Sequence, residues 1–280
     1  MFKKVAIIGA GFMGGSLALA LKEKFPLIKL YAFARSKKSL LKLKKAAIFD
    51  QVSTDLEEIV RGKDLIVLST PVSAIIDLLS KMAPVLVKKT LLIDMGSTKS
   101  GICVKAEEIL PYPSNFTGCH PLCGSEKQGI QYSRPDLYRG ALCICVGRGK
   151  SSVQLRIAKL WQTLGSDPVW MTAERHDRIL AAVSHLPHLL SFALSGVTDK
   201  KDAGYAATGF RDMTRLACSS PELWADIFLS NRGNLLSSLK KMIRTLEDYC
   251  SVLKSNDRKK LKSMLEQSKR KMNSVVMNKL

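Results

Sequence analysis

The sequence lacks the features that would place a protein in a membrane or outside the cell. No apolar run reaches the roughly 20 residues that a membrane span requires. Residues 1–21 carry lysines before an apolar stretch, but four glycines interrupt that stretch and no cleavage pattern of a signal peptide follows. The seven cysteines have no paired spacing, which is typical of reduced thiols rather than of a disulfide framework. We therefore expect a cytoplasmic protein without membrane contact.

The chain has a large excess of positive charge but lacks the residues that usually accompany nucleic-acid binding. The net charge is +20, and residues 236–280 contribute +8 of it, from 12 Lys and Arg against 4 Asp and Glu. Beyond residue 254 no aromatic side chain interrupts the lysines, whereas a single-strand binder needs such rings for base stacking. The charge therefore favours small anionic ligands over a nucleic-acid partner, and we interpret the basic tail as a solvated helix.

Apolar, strand-like runs alternate with helical stretches through the first 172 residues. Such alternation is typical of a parallel sheet that is covered by helices on both faces. From residue 173 onward the apolar residues recur at helical spacing instead. The sequence therefore predicts an α/β fold, with a doubly wound, Rossmann-type parallel sheet in residues 1–172 and an all-helical domain in residues 173–280. The predicted strands cover residues 3–8, 27–34, 65–69, 91–95, 116–119, 141–146 and 168–171.

A glycine-rich turn follows the first predicted strand and opens the first predicted helix. Gly9, Gly11 and Gly14 have the spacing of a dinucleotide-binding fingerprint, in the strand–turn–helix context that it requires. The first glycine permits the tight turn, the second lets the backbone approach a pyrophosphate, and the third lets helix and strand pack closely. The helix start at Phe12 and Met13 adds unpaired N–H groups and a positive dipole end. Together these residues predict a bound dinucleotide.

The second predicted strand lacks the acidic residue that usually binds the adenosine ribose of NAD. No Asp or Glu occurs between Leu27 and Phe49. Arg35, Ser36 and Lys37 stand at the end of this strand instead, and an arginine suits a 2′-phosphate because of its bidentate geometry. We therefore expect NADP in preference to NAD. The alternative is that these basic residues belong only to a solvated helix face.

Polar residues also follow three later strands at their carboxyl ends. Thr70-Pro71, Ser97 and His120 occupy these positions, and ligands bind at this edge of a doubly wound sheet. A histidine has an unperturbed pKa near 6.5 and can accept a proton at neutral pH. Cys119 and Cys123 flank His120 but give no four-ligand set, so we expect no resident metal. The sequence thus predicts a histidine base that takes a substrate proton while the cofactor takes a hydride.

Further short motifs lie in order along the chain after the glycine fingerprint. They are Ser69-Thr70-Pro71, Asp94 to Lys99, Gly118-x-His120-Pro121 with Gly124-Ser125-Glu126-x-x-Gly129, His176-Asp177, Val183 to His188, Gly209 to Arg215 and Trp224 to Ile227. In this order and spacing they resemble the prephenate/arogenate dehydrogenase family of tyrosine biosynthesis, over about residues 3–235. The glycine fingerprint alone would not be specific, but the histidine-proline segment and the second-half motifs are.

The resemblance implies an oxidative decarboxylation of prephenate to 4-hydroxyphenylpyruvate with hydride transfer to NAD(P)⁺. His120 matches the family's catalytic base, and Ser97 matches a serine that helps to orient it. Arg215 matches an arginine that binds a substrate carboxylate. The remaining matches surround the substrate: Ser184 and His188 on one helix face, Ser125 and Glu126 at the site entrance, and Trp224 as either a pocket wall or core.

The resemblance also implies a partner and leaves the substrate open. The helical second domain of the family forms a dimer, so a homodimer is expected. An arogenate or dual-specificity cyclohexadienyl dehydrogenase is the alternative to a prephenate dehydrogenase, although His188 and the positive charge favour the keto acid. A non-catalytic basic binding protein is a third hypothesis, against which the intact His120, Ser97 and Arg215 argue.

Overall fold

The computed structural model describes residues 2–124 and 127–277, and its centre is one eight-stranded sheet. The strands are β1 (Lys4–Ile8), β2 (Lys29–Phe33), β3 (Gln51–Ser53), β4 (Leu65–Leu68), β5 (Leu91–Asp94), β6 (Phe116–Pro121), β7 (Leu142–Val146) and β8 (Asp167–Met171). Their order across the sheet is β3-β2-β1-β4-β5-β6-β7-β8. The seven predicted strands are all present, and β3 is an eighth that the sequence analysis missed because it is a three-residue, half-buried edge strand.

Helices connect the strands and make up the second half of the chain. They are α1 (Phe12–Lys24), α2 (Lys37–Ala46), α3 (Leu56–Val60), α4 (Val72–Met82), α5 (Ser100–Ile109), α6 (Ser152–Thr163), α7 (Ala173–Leu180), α8 (Leu186–Val197), α9 (Thr208–Thr214), α10 (Pro221–Ser230), α11 (Arg232–Lys254) and α12 (Arg258–Met277). Among the described residues no strand follows β8, so the second half is helical as predicted.

Helices cover both faces of the sheet because its inner strands are apolar on both sides. In β1, Val5 and Ile7 pack into one core cluster with α1 and α6. Ala6 and Ile8 point the other way, into a second cluster with α4 and α5. All four side chains are at most 1% exposed. The two cores hold the carboxyl edge of the sheet in place from both faces.

The strand order reverses at β1, which lies between β2 and β4. The three strands pair in parallel and end together, since Ile8 is level with Phe33 on one side and with Leu68 on the other. Such a reversal opens a crevice beyond the carboxyl ends of the strands, where doubly wound sheets bind their ligands. The glycine turn of the sequence lies at this crevice.

The sheet is parallel from β3 to β6, as predicted, but β7 runs antiparallel to β6. Pro121 lies within this antiparallel pair, opposite Cys143. The backbone N–H of Leu122 donates to the carbonyl of Leu142 at 2.8 Å, so the pair one position back is not hydrogen-bonded. Pro121 therefore occupies a position where its missing N–H costs no ladder bond. The strand can carry a proline directly after His120.

The segment from Ala173 to Val197 is one continuous helical run with an irregular turn in its middle. A π-helical turn over Ala181–His185 joins α7 to α8, and such turns contain one extra residue. This run is long and apolar enough to pass a length-and-composition test for a membrane span, with a mean hydropathy of 1.4. Only 28% of the most apolar window is buried within the chain. Most of this apolar window is therefore only partly covered by the described residues, and Val183 and Val197 are 67% and 81% exposed.

Internal packing divides the chain into two compact units. Residues 1–232 form the first unit, which includes the whole sheet and helices α1 to α10. Residues 233–280 form the second unit, which is made of α12 and nearly all of α11. The domain boundary that we place near residue 172 on sequence grounds stays a prediction.

Candidate active site

The glycine turn between β1 and α1 contains three glycines, and two of them have no room for a side chain. Gly9 has a φ of 94°, and a Cβ on it would lie 2.6 Å from the backbone of Ser69 at the end of β4. A Cβ on Gly14 would lie 2.6 Å from the carbonyl oxygen of Gly9. Around Gly11, by contrast, nothing lies within 4 Å of the Cβ position. Two of the glycines are required by the protein's own packing, and the third faces open space.

This open space is where a dinucleotide pyrophosphate fits. Gly11 begins α1 and offers no side-chain cap, so the first-turn amides at Phe12 and Met13 remain available to an anion. The turn itself is held from behind, because Ser133 Oγ donates to the carbonyl of Phe12 at 3.2 Å and Tyr138 Oη to that of Met13 at 2.7 Å. The residues present therefore fit the phosphate cradle that the sequence predicts.

The end of β2 presents the basic residues that we predict for the adenosine ribose. Arg35, Ser36 and Lys37 are all exposed. The Ser36 hydroxyl caps α2 by accepting from the backbone N–H of Ser39 at 3.2 Å, and it shares a second hydrogen bond with the Ser39 hydroxyl at 3.1 Å. None of the carboxylates in residues 2–124 and 127–277 forms an ion pair with Arg35. Its guanidinium is therefore available to a ligand.

Thr70 and Pro71 lead from β4 into α4, next to the glycine turn. The methyl group of Thr70 lies 2.7 Å from the Cβ position of Gly9, so this loop and the turn are in contact. The N-terminus of α4 is capped from the helical half, since both carboxylate oxygens of Asp226 accept from the backbone N–H of Ser73 at 3.3 Å. The predicted cofactor residues thus share one edge of the sheet.

All four histidines of the chain gather at the next part of this edge. His120 lies near the end of β6, and its Nδ1 is 2.8 Å from Nε2 of His176 on α7. Nδ1 of His176 is in turn 2.8 Å from Oδ1 of Asp177. Because the carboxylate only accepts, His176 donates to it from Nδ1 and accepts from His120 at Nε2. His120 is left with Nε2 as its acceptor atom, which no described residue occupies.

Asp177 is held as a carboxylate by several donors at once. Its oxygens accept from the backbone N–H of Lys99 at 2.7 Å and of Ser100 at 2.8 Å, at the N-terminus of α5. Burial acts to raise the pKa of Asp177, but the hydrogen bonds from His176, Ser100 and Lys99 outweigh it and lower the pKa to about 2. The negative charge behind His176 therefore persists throughout the physiological pH range.

A buried ion pair lies beneath the histidines. Lys99 Nζ binds Asp94 Oδ2, and both side chains are completely buried. The same Asp94 oxygen accepts from the backbone N–H of Gly96 at 2.8 Å, which fixes the loop that carries Ser97. The half-buried Ser97 follows β5, the strand next to His120. In the part of the chain that the structure describes, no hydrogen bond joins the Ser97 hydroxyl to His120.

Burial keeps His120 neutral. Desolvation lowers its pKa well below the usual value of 6.5, and the nearby His176 and Lys99 lower it further. Burial likewise lowers the pKa of His176. At neutral pH the pair is therefore uncharged, and His120 carries the lone pair that a general base requires.

The second-half residues form a wall beside these histidines. The imidazole of His188 stacks on the indole of Trp224, with ring centroids 3.5 Å apart and an interplanar angle of 21°. His188 Nδ1 donates to the carbonyl oxygen of Ser184 at 2.9 Å, one helical turn earlier. Burial lowers the pKa of His188, and the charge of the exposed Arg215 nearby acts in the same direction. Ser184, His188, Arg215 and Trp224 are thus brought together.

Trp224 is packed into the core of the helical half. It is 9% exposed, and its ring also meets His185 edge-on at 6.1 Å and Phe228 at 5.3 Å. His185 is 1% exposed, and its Nδ1 lies 3.2 Å from the amide nitrogen of Asn231. Burial lowers the pKa of His185 to about 4. His185 therefore acts as a packed, neutral support.

Sequence reasoning missed the roles of His176, Asp177 and Asp226. His176 and Asp177 are adjacent in a chain with only four histidines, and this pairing was the available signal. Asp226 lies within the motif Trp224 to Ile227, but its capping role gave no signal, because a contact over 153 positions leaves no local pattern. The predicted substrate residues Ser125 and Glu126 lie outside the described residues.

Comparison with known proteins places the chain in a family. Residues 17–167 match the nucleotide-binding domain of prephenate dehydrogenase, and residues 172–267 match its dimerization domain. The chain is 33% identical to the cyclohexadienyl dehydrogenase of Zymomonas mobilis, over 92% of this chain and 90% of that protein.

Two solved structures share the fold over nearly the whole chain. The prephenate dehydrogenase of A. aeolicus, in complex with hydroxyphenyl propionate and NAD⁺, superposes with a TM-score of 0.88 at 30% identity and covers 98% of this chain and 99% of its own. The Synechocystis arogenate dehydrogenase gives 0.80 at 26% identity, over 97% and 99%. With both halves matched in order, the chain belongs to the prephenate dehydrogenase family.

Proposed function

We propose that the protein is a prephenate dehydrogenase, which converts prephenate to 4-hydroxyphenylpyruvate and CO₂ with reduction of a nicotinamide dinucleotide. The observation that carries the proposal is the chain of hydrogen bonds from Asp177 through His176 to His120. It leaves a neutral imidazole with a free acceptor atom at the carboxyl edge of the sheet, beside a phosphate cradle. That arrangement suits the oxidation of an alcohol by hydride removal.

The residues of the glycine turn hold the dinucleotide in this proposal. Gly11 and the amides of Phe12 and Met13 bind the pyrophosphate, while Thr70 and Pro71 line the path toward His120. When bound, the nicotinamide ring accepts a hydride from the substrate carbon that carries the hydroxyl group. The protein's part is to place that carbon between the ring and His120.

His120 receives the proton of the substrate hydroxyl at Nε2. The imidazolium that results is stabilised because its Nδ1–H points at His176, which in turn donates to the ionised Asp177. Ser97 follows β5, the strand next to β6, and helps to orient His120 in this proposal. Loss of the ring carboxylate as CO₂ then makes the ring aromatic, so the protein needs no covalent nucleophile for that step.

The two carboxylates of prephenate need cationic and donor groups, and the second-half wall supplies them. Arg215 pairs with one carboxylate through its planar guanidinium. The imidazole of His188, stacked on the buried Trp224, offers a flat face to the ring of the substrate, and Ser184 adds a hydroxyl on the same helix face. Ser125 and Glu126 complete the entrance in this proposal, on the strength of their motif alone.

We propose NADP⁺ as the preferred cofactor. Arg35 is exposed without an ion-pair partner among the described carboxylates, and the exposed Ser36 hydroxyl follows it directly. The region from Leu27 to Phe49 contains no acid to bind a 2′-hydroxyl. NAD⁺ is the alternative, and the solved A. aeolicus relative holds NAD⁺.

We also propose that two copies of the chain form a dimer through the helical half. The partly covered apolar surface of residues 173–197 lies in the region that matches a dimerization domain. A second copy, rather than a membrane, then covers this surface in the cytoplasm. Light scattering of the purified protein without detergent tests this, and a monodisperse monomer would contradict it.

An absorbance assay at 340 nm tests the proposed activity, with prephenate and arogenate each offered with NAD⁺ and NADP⁺. We expect the fastest reduction with prephenate and NADP⁺. Faster turnover of arogenate would establish the alternative substrate, which the Synechocystis relative's name suggests. Reduction with neither substrate, together with salt-dependent retention on DNA, would instead support a non-catalytic basic binding protein.

A further inference from the structure

Three cysteines lie on one face of the β6–β7 pair, directly behind the histidine site. Cys119 on β6 is opposite Cys145 on β7, and Cys143 is two positions earlier on the same strand face. The Sγ atoms of Cys119 and Cys145 are 4.0 Å apart, and all three sulfurs lie within 4.8 Å of one another. The cluster has no recognisable motif in the sequence, because Cys119 is separated from the other two cysteines by more than twenty residues.

The pairing of the strands explains why the sulfurs converge. Cys119 and Cys145 form a non-hydrogen-bonded antiparallel pair, like Pro121 and Cys143 two positions along. Side chains approach one another most closely at such pairs. The convergence is therefore built into the register of the sheet and does not depend on flexible loops.

The cluster is enclosed in the apolar core. Each of the three thiols is completely buried. The indole of Trp161 contacts the cluster, and its Nε1–H points at the sulfur of Cys119 at 3.4 Å. No disulfide joins the described cysteines. Burial raises the pKa of Cys119 and Cys143, because the apolar core disfavours their thiolates.

The size of the cluster fits an ion with three sulfur ligands. An ion bonded to three sulfurs at about 2.3 Å holds them about 4.0 Å apart when it is planar and about 3.4 Å apart when it is pyramidal. The Cys119–Cys145 separation already has the planar value, and a pyramidal ion requires the three sulfurs, which lie within 4.8 Å of one another, to close by at most about 1.4 Å. Among the described residues no fourth ligand joins the group, and Trp161 can only donate. A four-coordinate zinc site is therefore incomplete here.

Charge decides which kind of ion the core accepts. A net charge that is buried in an apolar core without a counter-charge is strongly disfavoured, because it loses its hydration. Three thiolates around a monovalent ion leave two negative charges, and around a divalent ion one. A trivalent ion leaves none, and thiolates are the soft ligands that thiophilic ions prefer.

We propose that Cys119, Cys143 and Cys145 form a binding site for a trivalent thiophilic ion of the arsenic(III) class. In the reaction, As(OH)₃ and three thiols give As(SR)₃ and three waters. Three As–O bonds and three S–H bonds are replaced by three As–S bonds and three O–H bonds, without oxidant or net proton release. The product is neutral, as its surroundings require.

The test uses the full-length protein, kept reduced with a phosphine and mixed with sodium arsenite. Mass spectrometry under non-denaturing conditions should show one adduct, heavier than the protein by one arsenic less three hydrogens. Arsenic X-ray absorption should show three sulfur neighbours and no oxygen. An adduct with remaining oxygen ligands, or no adduct, would overturn the proposal.

Variants locate the site. Cys145→Ala and Cys143→Ala should each bind arsenite at least about tenfold more weakly, a loss of about 1.4 kcal/mol. Cys103→Ala removes a half-buried thiol outside the cluster, and a Cys218→Ser/Cys250→Ser variant removes the two exposed thiols. Both controls should bind as the wild type does. Circular dichroism checks that each variant is folded.

The opposite pattern, with binding lost in the exposed-thiol variant and kept in Cys145→Ala, would assign the adduct to the surface and refute the site. A parallel titration with Zn²⁺ tests the argument from charge. Stoichiometric zinc binding that depends on Cys145 would show that the core tolerates a net charge, and would contradict the assignment to a trivalent ion.

Discussion

The glycine turn and the histidine chain lie at the same carboxyl edge of the sheet, but they are built in different ways. The turn takes its shape from residues within one short segment, supported by Ser69 and Thr70. The histidine chain joins His120 on a strand to His176 on a helix, 56 positions away. A phosphate cradle can thus be formed by one short segment of the sequence, while the proton acceptor beside it depends on how distant elements pack.

The largest effect is expected at the end of the histidine chain. Replacing His120 with Asn removes the proton acceptor, so turnover should fall by about 10²–10⁴-fold. Dinucleotide binding should remain, because the glycine turn is untouched, and fluorescence titration measures it separately. Undiminished turnover in H120N would show that another group is the base and that the histidine chain does not accept the proton.

The next effect separates two glycines within the turn. Gly14→Ala brings a Cβ to 2.6 Å from a carbonyl oxygen, so it should destabilise the fold by about 1–3 kcal/mol. The better helix propensity of alanine, up to about 1 kcal/mol, does not offset this contact. Gly11→Ala should leave the melting temperature unchanged but weaken dinucleotide binding about tenfold or more. Equal melting temperatures for both variants would contradict the steric assignment.

A third prediction concerns the support of the base. Asp177→Asn removes the charge behind His176 and should lower turnover by up to about 10²-fold through loss of orientation. Without the carboxylate the imidazolium of His120 is less stable, so the pKa of His120 falls further. The acidic limb of the kcat/KM profile should then move to lower pH. Glu174→Gln, an exposed acid on the same helix, should change neither quantity.

A smaller effect is expected at the adenosine end of the cofactor. Arg35→Ala should reduce the preference for NADP⁺ over NAD⁺ about tenfold, because one charge-assisted hydrogen bond is lost. Lys42→Ala, on the exposed face of α2, serves as the control and should leave the ratio unchanged. An unchanged ratio in R35A would remove the structural reason for proposing NADP⁺.

The smallest effect is a gradual loss of stability in acid. The pKa of His185 is about 4 in the folded protein and near 6.5 when unfolded, and the pKa values of His120 and His176 are also lowered. The unfolded state therefore binds more protons as the pH falls below about 6.5, and stability decreases from there toward pH 4. The urea midpoint at pH 5 should lie below that at pH 7.5. An unchanged midpoint would mean that these histidines are solvated.

The sequence predicted the parts of the fold whose causes are local. Apolar runs located seven strands, and three glycines located the cradle. It did not reveal that β7 runs antiparallel, because an apolar run carries no direction. It also did not reveal the contact between His176 and His120, or the capping of α4 by Asp226, since both depend on how distant elements pack. The resemblance to a known family predicted that Arg215, Ser184 and His188 lie at one site. Their spacing along the sequence could not have predicted this.

The π-helical turn at Ala181–His185 makes this helical run sensitive to the deletion of a single residue. Each residue advances a helix by about 100°, so the extra residue sets the angular phase of α8 independently of α7. The orientation of α7 directs Asp177 to α5, and the orientation of α8 directs His188 to Trp224. A deletion of one residue here would yield a more regular helix that can satisfy only one of the two directions. The irregular turn thus lets one continuous helical run contact both α5 and Trp224.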